Sequence, residues 1–193
     1  MSTATRVRVS RFTAGTRVLH WVAAVLVFTT LLVGFVLANS LGNYAVLLGV
    51  HMALGASVFV VFVVRVINRV THRAPALPAT VGGAERLAVA ASEVALYTLI
   101  LAQPLVGWAM LSASGVPVVL FDAWRLPAIA PVDAALYGPL RDAHSLLAYA
   151  LVVLIAAHVS AVLLHTVTLR DGMLGRMTFG RAESSSAQGE PNA

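Results

Sequence analysis

The 193-residue chain contains no cysteine and no lysine, and only 11% of its residues are charged. Without cysteine, disulfides, thiolate zinc sites, cysteine-ligated iron–sulfur clusters and covalently attached c-type haem are excluded. Without lysine, Schiff-base chemistry is excluded as well. All thirteen basic residues are arginine, and they flank long apolar runs instead of forming a basic face on a water-soluble scaffold. This distribution argues against nucleic-acid binding.

Apolar residues are abundant: they make up 59% of the chain, well above the share in a typical soluble domain. Four predominantly apolar stretches are longer than the roughly 18 residues that indicate a membrane span. They cover residues 18–38, 45–67, 87–111 and 143–169. The first is too long for the core of a typical signal peptide, so we interpret it as a retained span. The sequence thus predicts an all-α membrane protein, a bundle of four transmembrane helices.

Arginine is distributed unevenly among the segments that flank these spans. Four arginines lie in the N-terminal arm, residues 1–17, and others lie in the second loop and after the fourth span, whereas residues 39–44 carry no charge. Since cytoplasmic flanks are enriched in arginine, we expect both termini to be cytoplasmic and the first and third loops to be external. The membrane domain then covers residues 18–182. The polar residues 183–193 are expected to form a disordered cytoplasmic tail.

Histidine is concentrated in the spans, where Arg65 and Glu93 are the only fixed charges. Five of the six histidines lie there: His20, His51, His144, His158 and His165. Polar groups at membrane depth are costly and usually functional. His144 and His158 are fourteen residues apart, which is about 40° short of four helical turns and about 21 Å along the axis. They therefore occupy one helix face at two depths.

The predicted orientation supplies a partner at each depth. The second span starts at the outer surface, so His51 lies high with His144; the first starts at the inner surface, so His20 lies low with His158. One imidazole pair in each half of a four-helix bundle is what two b-type haems require. A tetrahedral zinc or copper site would need three or four ligands at one point, which this division disfavours. Two alternatives remain open. The histidines could cap helix ends or hydrogen-bond to neighbouring helices, or the chain could be a haem-free scaffold or transporter whose histidines bind substrate.

Other residues in the spans are compatible with haem. Gly34, Gly49, Gly55 and Gly107 would let a flat macrocycle approach the backbone, and close helix packing explains each of them about equally well. Arg65 and Arg69 either extend to the inner interface or pair with propionates of the inner haem. Bis-histidine ligation leaves no open coordination position, so the expected chemistry is electron transfer.

Several motifs resemble those of the bacterial cytochrome b561 family, which includes superoxide oxidase. They are LHW at 19–21, GVHMALG at 49–55, VRVINR at 64–69, YTLILAQPLVGWAM at 97–110, and the spacing of His144, His158 and His165 followed by RDGMLGRM. The resemblance extends from about Arg11 to Arg181. It implies two b-type haems with His20, His51, His144 and His158 as axial ligands, paired as above. It also implies a quinone partner, ubiquinone or menaquinone.

The resemblance favours one activity and leaves a second open. In superoxide oxidases of this family, external superoxide is oxidised and membrane ubiquinone is reduced. Other relatives are the membrane electron-transfer subunit of a dehydrogenase or hydrogenase, and shared architecture does not separate the two. Arg125 and Arg141 would attract superoxide or pair with outer-haem propionates, although the third loop also carries three aspartates. A partner protein would instead dock on Phe121, Trp124 and Leu126.

We also expect an inner quinone and proton site formed by Glu93, Tyr97 and His165. His165 is about 20° short of two turns from His158, so it continues the ligand face toward the cytoplasm. Glu93 enters the third span from the same side, and Tyr97 lies one turn further along. A structural hydrogen bond between Glu93 and His165, or an ion pair of Glu93 with Arg86, is the alternative.

Overall fold

Four long helices form most of the protein: α1 (Ala14–Asn39), α2 (Tyr44–Thr71), α3 (Gly83–Ser114) and α4 (Ala134–Leu163). The structure is a computed structural model and describes residues 11–40, 42–72, 75, 82–121, 123–169 and 174–178. α4 continues as a π-helical segment, Leu164–Leu169, and a short 3-10 helix follows at Leu174–Arg176. Strands β1 (Val119–Leu120) and β2 (Trp124–Arg125) form an antiparallel hairpin between α3 and α4.

Local sequence signals set the helix ends. The Thr13 side chain accepts a hydrogen bond from a backbone N–H in the first turn of α1. Asp133 caps α4 in the same way by accepting from the Ala135 N–H at 2.8 Å. Gly115 follows α3 in the left-handed conformation, with φ 77°, where a residue with a side chain would be strained. α3 itself continues through Pro104.

The helices contain the four predicted spans and extend beyond them, and all four are long and apolar enough to cross a membrane. The largest difference is at α4, which begins at Ala134 instead of near residue 143. Its first three turns include Pro139, Arg141 and Asp142, which interrupt the apolar run but not the helix. Residues 14–17 of the predicted arm already belong to α1. The predicted tail, 183–193, lies outside the described residues.

The apolar side chains of these helices point mostly outward. In the apolar window of each helix, at most 11% of the residues are buried inside the protein. Phe35, Val60, Val94 and Val153, one from each helix, are between 61% and 69% exposed. Exposing so much apolar surface to water is unfavourable, whereas lipid tails accept it. The fold is that of a multi-pass membrane protein.

The helices pack as two close pairs. α1 packs against α2 and α3 against α4, with a smaller contact between α2 and α3. One core cluster joins all four helices; its buried members are Ala23, Val27, Val58, Phe62, Ile100 and Leu151. Across the described residues, α1 and α4 make few direct contacts. These two helices therefore stand apart.

The two ends of the described chain meet at one end of the bundle. The backbone carbonyls of Met177 and Thr178 accept hydrogen bonds from Trp21 Nε1 at 3.0 Å and from Arg17 Nη1 at 2.8 Å. The helix ends at residues 14, 71, 83 and 169 lie here. We name this the inner end and the opposite one the outer end, after the orientation predicted from arginine.

The β-hairpin folds back over the outer end. Trp108 Nε1 of α3 donates to the Pro127 carbonyl at 3.0 Å, and Leu120 is buried where β1 packs on α2. Phe121 and Trp124 at the hairpin tip are exposed. No sequence pattern predicts these strands, because two residues are too few to display the alternation of a β-strand.

Candidate cofactor sites in the helix bundle

His51 of α2 and His144 of α4 meet in the outer half of the bundle. Their ring centroids are 6.2 Å apart and their ring planes are nearly perpendicular, at 84°. Both residues are half-buried. The structure thus brings together the two histidines that the sequence assigns to the outer depth.

The separation of these rings suits one metal atom between them. A metal–imidazole bond is about 2.0–2.1 Å long, and two such bonds in line, with a ring radius added at each end, separate ring centroids by about 6 Å. Perpendicular rings are compatible with this arrangement, since each ring can rotate about its own metal–nitrogen bond. In the part of the chain that the structure describes, no three histidine or acidic side chains are grouped to hold a metal ion. The donor set is two imidazoles, as in bis-histidine haem.

Two glycines lie directly against these rings. A Cβ atom on Gly34 would lie 2.8 Å from Cε1 of His51, and one on Gly107 would lie 3.1 Å from Cε1 of His144. Glycine at these positions therefore gives each imidazole its space. A Cβ on Gly49 or Gly55 would instead meet no such neighbour within 4 Å, so close helix packing does not explain those two glycines.

The Nδ1 atoms of His51 and His144 are buried and make no hydrogen bond of good geometry. A backbone carbonyl nevertheless lies near each ring, that of Thr30 for His51 and that of Gln103 for His144, and a backbone carbonyl is a usual acceptor for the Nδ1–H of a metal-bound histidine. A neutral imidazole offers one nitrogen lone pair, which is the group that haem iron binds. The residues present therefore fit a b-type haem at this position.

His20 of α1 and His158 of α4 lie near each other on the two helices that stand apart. The two rings are close enough to interact electrostatically, and Arg65 of α2 interacts with both. His20 Nδ1 accepts a hydrogen bond from Arg65 Nη1 at 3.0 Å, and the Trp21 ring packs edge-on at 5.6 Å. The second predicted pair thus shares one region of the bundle, about 21 Å from the outer pair along α4.

The other polar side chains predicted for the inner end form separate contacts. Glu93 makes a bidentate ion pair with Arg69, at 2.6 and 3.1 Å. The Tyr97 hydroxyl accepts a hydrogen bond from Arg65 Nη2 at 3.4 Å. Of the two arginines predicted to contact propionates, Arg69 is therefore engaged by a carboxylate, and Arg65 points toward His20.

His165 lies in the π-helical segment and is buried, with 7% of its surface exposed. Its Nε2 atom lies 2.8 Å from Oε1 of Glu85 at the start of α3. The structure therefore pairs His165 with Glu85 and not with Glu93. The physical reason is that α3 begins at Gly83, one turn before the predicted span, so Glu85 and not Glu93 reaches the level of His165.

Glu85 is the residue of this region that sequence reasoning missed. Its second oxygen accepts a hydrogen bond from the Gly82 backbone N–H at 3.3 Å, at the start of α3. An acidic residue in a first helical turn is typical of a capping role, which explains its presence without a site. Glu85 lies only two residues before the predicted third span, and this proximity is the feature of the sequence that could have placed it near His165.

The predicted outer residues lie where solutes can reach them. Arg125 on β2 and Arg141 near the start of α4 are exposed. Phe121 and Trp124 are 69% and 72% exposed, and Leu126 is half-buried. The outer end thus presents two cations and an aromatic hairpin tip.

Four apolar helices that hold imidazoles in pairs at two depths define a multi-pass membrane electron-transfer cytochrome of the b type. Residues 11–180 match the prokaryotic cytochrome b561 family. The chain is also 30% identical over 169 residues to cytochrome b561 homolog 2 of Escherichia coli (strain K12), over 86% of this chain and 89% of that protein. The chain belongs to the prokaryotic cytochrome b561 family, which confirms the resemblance. As a member of this family, the protein is a membrane cytochrome that binds b-type haem and transfers electrons.

The Arg69–Glu93 ion pair should contribute little to stability, because its side chains are 42% and 38% exposed. In a double-mutant cycle of Arg69→Gln and Glu93→Gln, we expect a coupling free energy of at most about 1 kcal/mol. Denaturant unfolding of the purified protein in detergent measures this energy. A coupling several times larger would contradict the exposed placement of the pair.

Proposed function

We propose that this protein is a dihaem cytochrome b of the bacterial inner membrane, with both termini cytoplasmic. It carries electrons from an outer donor, superoxide in the favoured case, to ubiquinone or menaquinone at the inner end. His51 and His144 ligate the outer haem, and His20 and His158 ligate the inner haem. Bound haem supplies a one-electron couple at each depth, while the chain holds the two groups apart and excludes water.

The observation that carries this proposal is the geometry of the outer pair. Two rings from different helices lie 6.2 Å apart, which suits a single metal atom between them. Glycine stands against each ring, and a backbone carbonyl near each ring suits the Nδ1–H of an imidazole that binds metal through Nε2.

The inner pair extends the proposal across the membrane. His158 lies about 21 Å from His144 along one helix, against a hydrocarbon core of about 30 Å. His20 lies beside His158 and comes from the helix that stands apart from α4. Cofactors at these two depths support electron transfer through most of the membrane thickness.

At the inner end, reduction of a quinone to a quinol takes up two electrons and two protons. Glu85 and His165 form a carboxylate–imidazole pair, and the Glu85 side chain is 39% exposed. A pair that joins the surface to a buried imidazole suits proton delivery. Tyr97 and Glu93 form a second polar group on α3, and we retain them in the proposed quinone site.

At the outer end, Arg125 and Arg141 are exposed cations that attract a small anion. Each superoxide that loses one electron leaves as dioxygen, so two superoxide ions supply the two electrons of one quinol. The support for superoxide as donor is the likeness to superoxide oxidases of the family together with these two side chains.

A second candidate function is the membrane electron-transfer subunit of a partner dehydrogenase or hydrogenase. Phe121 and Trp124 favour it, because an exposed pair of aromatic side chains on a hairpin tip is typical of a protein contact. In that case electrons arrive from the docked partner, and the outer haem remains the entry point.

Superoxide should reduce the oxidised protein rapidly in a stopped-flow experiment, and added quinone should reoxidise it. Replacing Arg125 and Arg141 by glutamine should slow the reduction about two- to tenfold at low ionic strength and little at high salt, since salt screens exposed charges. Dithionite, which should reduce the same haems, is the control. Reduction by dithionite without reduction by superoxide would contradict superoxide as donor and favour the partner subunit.

Gly34→Ala should displace the His51 ring and lower the haem content from two to about one per chain, because its Cβ would lie 2.8 Å from Cε1. Pyridine haemochrome assay of the purified variant measures this loss. Gly15→Ala on the same helix is the matched control, because a Cβ there meets no neighbour within 4 Å. An unchanged haem content and spectrum in Gly34→Ala would show that His51 does not need this space.

A further inference from the structure

Arg65 lies in the inner half of the bundle, between α1 and α3. Its Nη1 donates to His20 Nδ1 at 3.0 Å and its Nη2 donates to the Tyr97 hydroxyl at 3.4 Å. The guanidinium carbon lies 5.3 Å from the centroid of the Phe62 ring and 5.6 Å from that of Tyr97. Aromatic faces and a neutral hydroxyl stabilise a cation without cancelling its charge.

The positive charge of Arg65 has no carboxylate beside it among the described residues. The nearby acidic side chains, Glu85 and Glu93, pair with His165 and Arg69 respectively. Arg69, one turn beyond Arg65, therefore provides a contrast: it is a guanidinium on the same helix that a carboxylate neutralises. Arg65 brings a net positive charge into the apolar bundle.

Among the residues that the structure describes, none places a comparable cation beside the outer pair. His51 and His144 meet each other, two glycines and the uncharged backbone of Thr30 and Gln103. In the inner half, by contrast, Arg65 interacts electrostatically with both His20 and His158. The two depths thus differ by one positive charge next to the imidazoles.

We propose that Arg65 raises the reduction potential of the inner haem above that of the outer haem and so favours electron transfer from the outer to the inner depth. Reduction adds one electron to the haem, and a cation in a low-dielectric site stabilises the added charge. Arg65 stabilises the added electron through its positive charge, so it is a positioning residue and not a catalytic one. The inference rests on the proposed ligation of two haems by the four histidines.

The charge of Arg65, and not its hydrogen bond, produces this effect. A guanidinium only donates, so His20 Nδ1 accepts in the contact described here. An imidazole that binds iron through Nε2 carries its proton on Nδ1 and no longer accepts there. The contacts of Arg65 with Phe62 and Tyr97 do not depend on this proton.

A higher reduction potential at the inner haem also favours inward electron transfer against the membrane potential. The cytoplasmic face of an energised bacterial membrane is electrically negative, and it opposes inward movement of electrons. A positive difference between the inner and outer haem potentials offsets that opposition. Arg65 supplies such a difference from within the bundle, independently of the identity of the donor.

Redox titration of the purified protein, followed by haem absorbance, tests the proposal through Arg65→Gln. This variant keeps hydrogen-bonding atoms and removes the charge. We expect the equilibrium constant for outer-to-inner electron transfer to fall at least about tenfold, which is a drop of about 59 mV in the potential of one haem. Arg65→Lys should preserve most of the difference. The double variant Arg69→Gln/Glu93→Gln removes a neutralised pair and should leave the difference between the two haem potentials unchanged, whatever its effect on quinone reduction.

Comparison with His158→Ala, which should lack the inner haem, identifies the haem whose potential shifts. Unchanged potentials in Arg65→Gln, equal shifts of both haems, or an Arg65→Lys variant that behaves like Arg65→Gln would overturn the proposal and leave the dihaem function intact. If Arg65→Gln loses the inner haem, Arg65→Met, which fills the space between the aromatic rings, is titrated instead. Retention of the inner haem in Arg65→Lys alone would assign Arg65 to haem attachment and overturn the proposal. A wild-type protein without two haems would contradict the proposed function itself.

Discussion

In a bundle whose outer surface faces lipid, a buried polar atom finds no water, so it must find a partner within the protein or in a ligand. His51 and His144 are polar side chains half-buried in this bundle, and a backbone carbonyl lies near each ring. The arrangement of the helices is consistent with this demand, because α1–α2 and α3–α4 pack as close pairs and present histidines from different helices to each other. Gly34 and Gly107 then keep the backbone from displacing the rings. A ligand between the two rings would take up the remaining imidazole nitrogens.

The two halves of the bundle both present imidazoles, but in different electrostatic surroundings. The outer half surrounds its imidazoles with glycine and apolar side chains, whereas the inner half adds the guanidinium of Arg65. Further toward the inner surface, the Glu85–His165 pair joins a buried imidazole to a partly exposed carboxylate. Within the described part of the bundle, the charged side chains beside imidazoles therefore lie in the inner half.

The sequence predicts the parts of this structure that depend on regular helix geometry. His144 and His158 share a face because a rotation of about 100° per residue holds along an uninterrupted α-helix, and the four spans follow from apolar length. The inner contacts depend on where a helix begins, which apolar length does not determine. α3 starts one turn before the apolar run, so Glu85 and not Glu93 meets His165.

Other features depend on the rotation and packing of helices and have no sequence signal. Gly34 and Gly55 both lie in apolar runs, and the sequence does not distinguish their roles. Of these two glycines, only Gly34 lies against a histidine ring. The contact of Arg65 with His20 joins residues 45 positions apart on different helices. The hydrogen bond from Trp21 Nε1 to the Met177 carbonyl likewise depends on tertiary structure. Its acceptor is a backbone carbonyl, which every residue has, so no residue type at position 177 predicts it.

The central claim is that four histidines hold two haems in the pairs His51 with His144 and His20 with His158. Haem stoichiometry and absorbance spectra of the protein and of its four single histidine-to-alanine variants test this claim most directly. The account predicts two haems in the unaltered protein and one in each variant, with the same remaining haem spectrum within a pair and a different one between pairs. One haem in the unaltered protein, or different remaining haems in His51→Ala and His144→Ala, would contradict it.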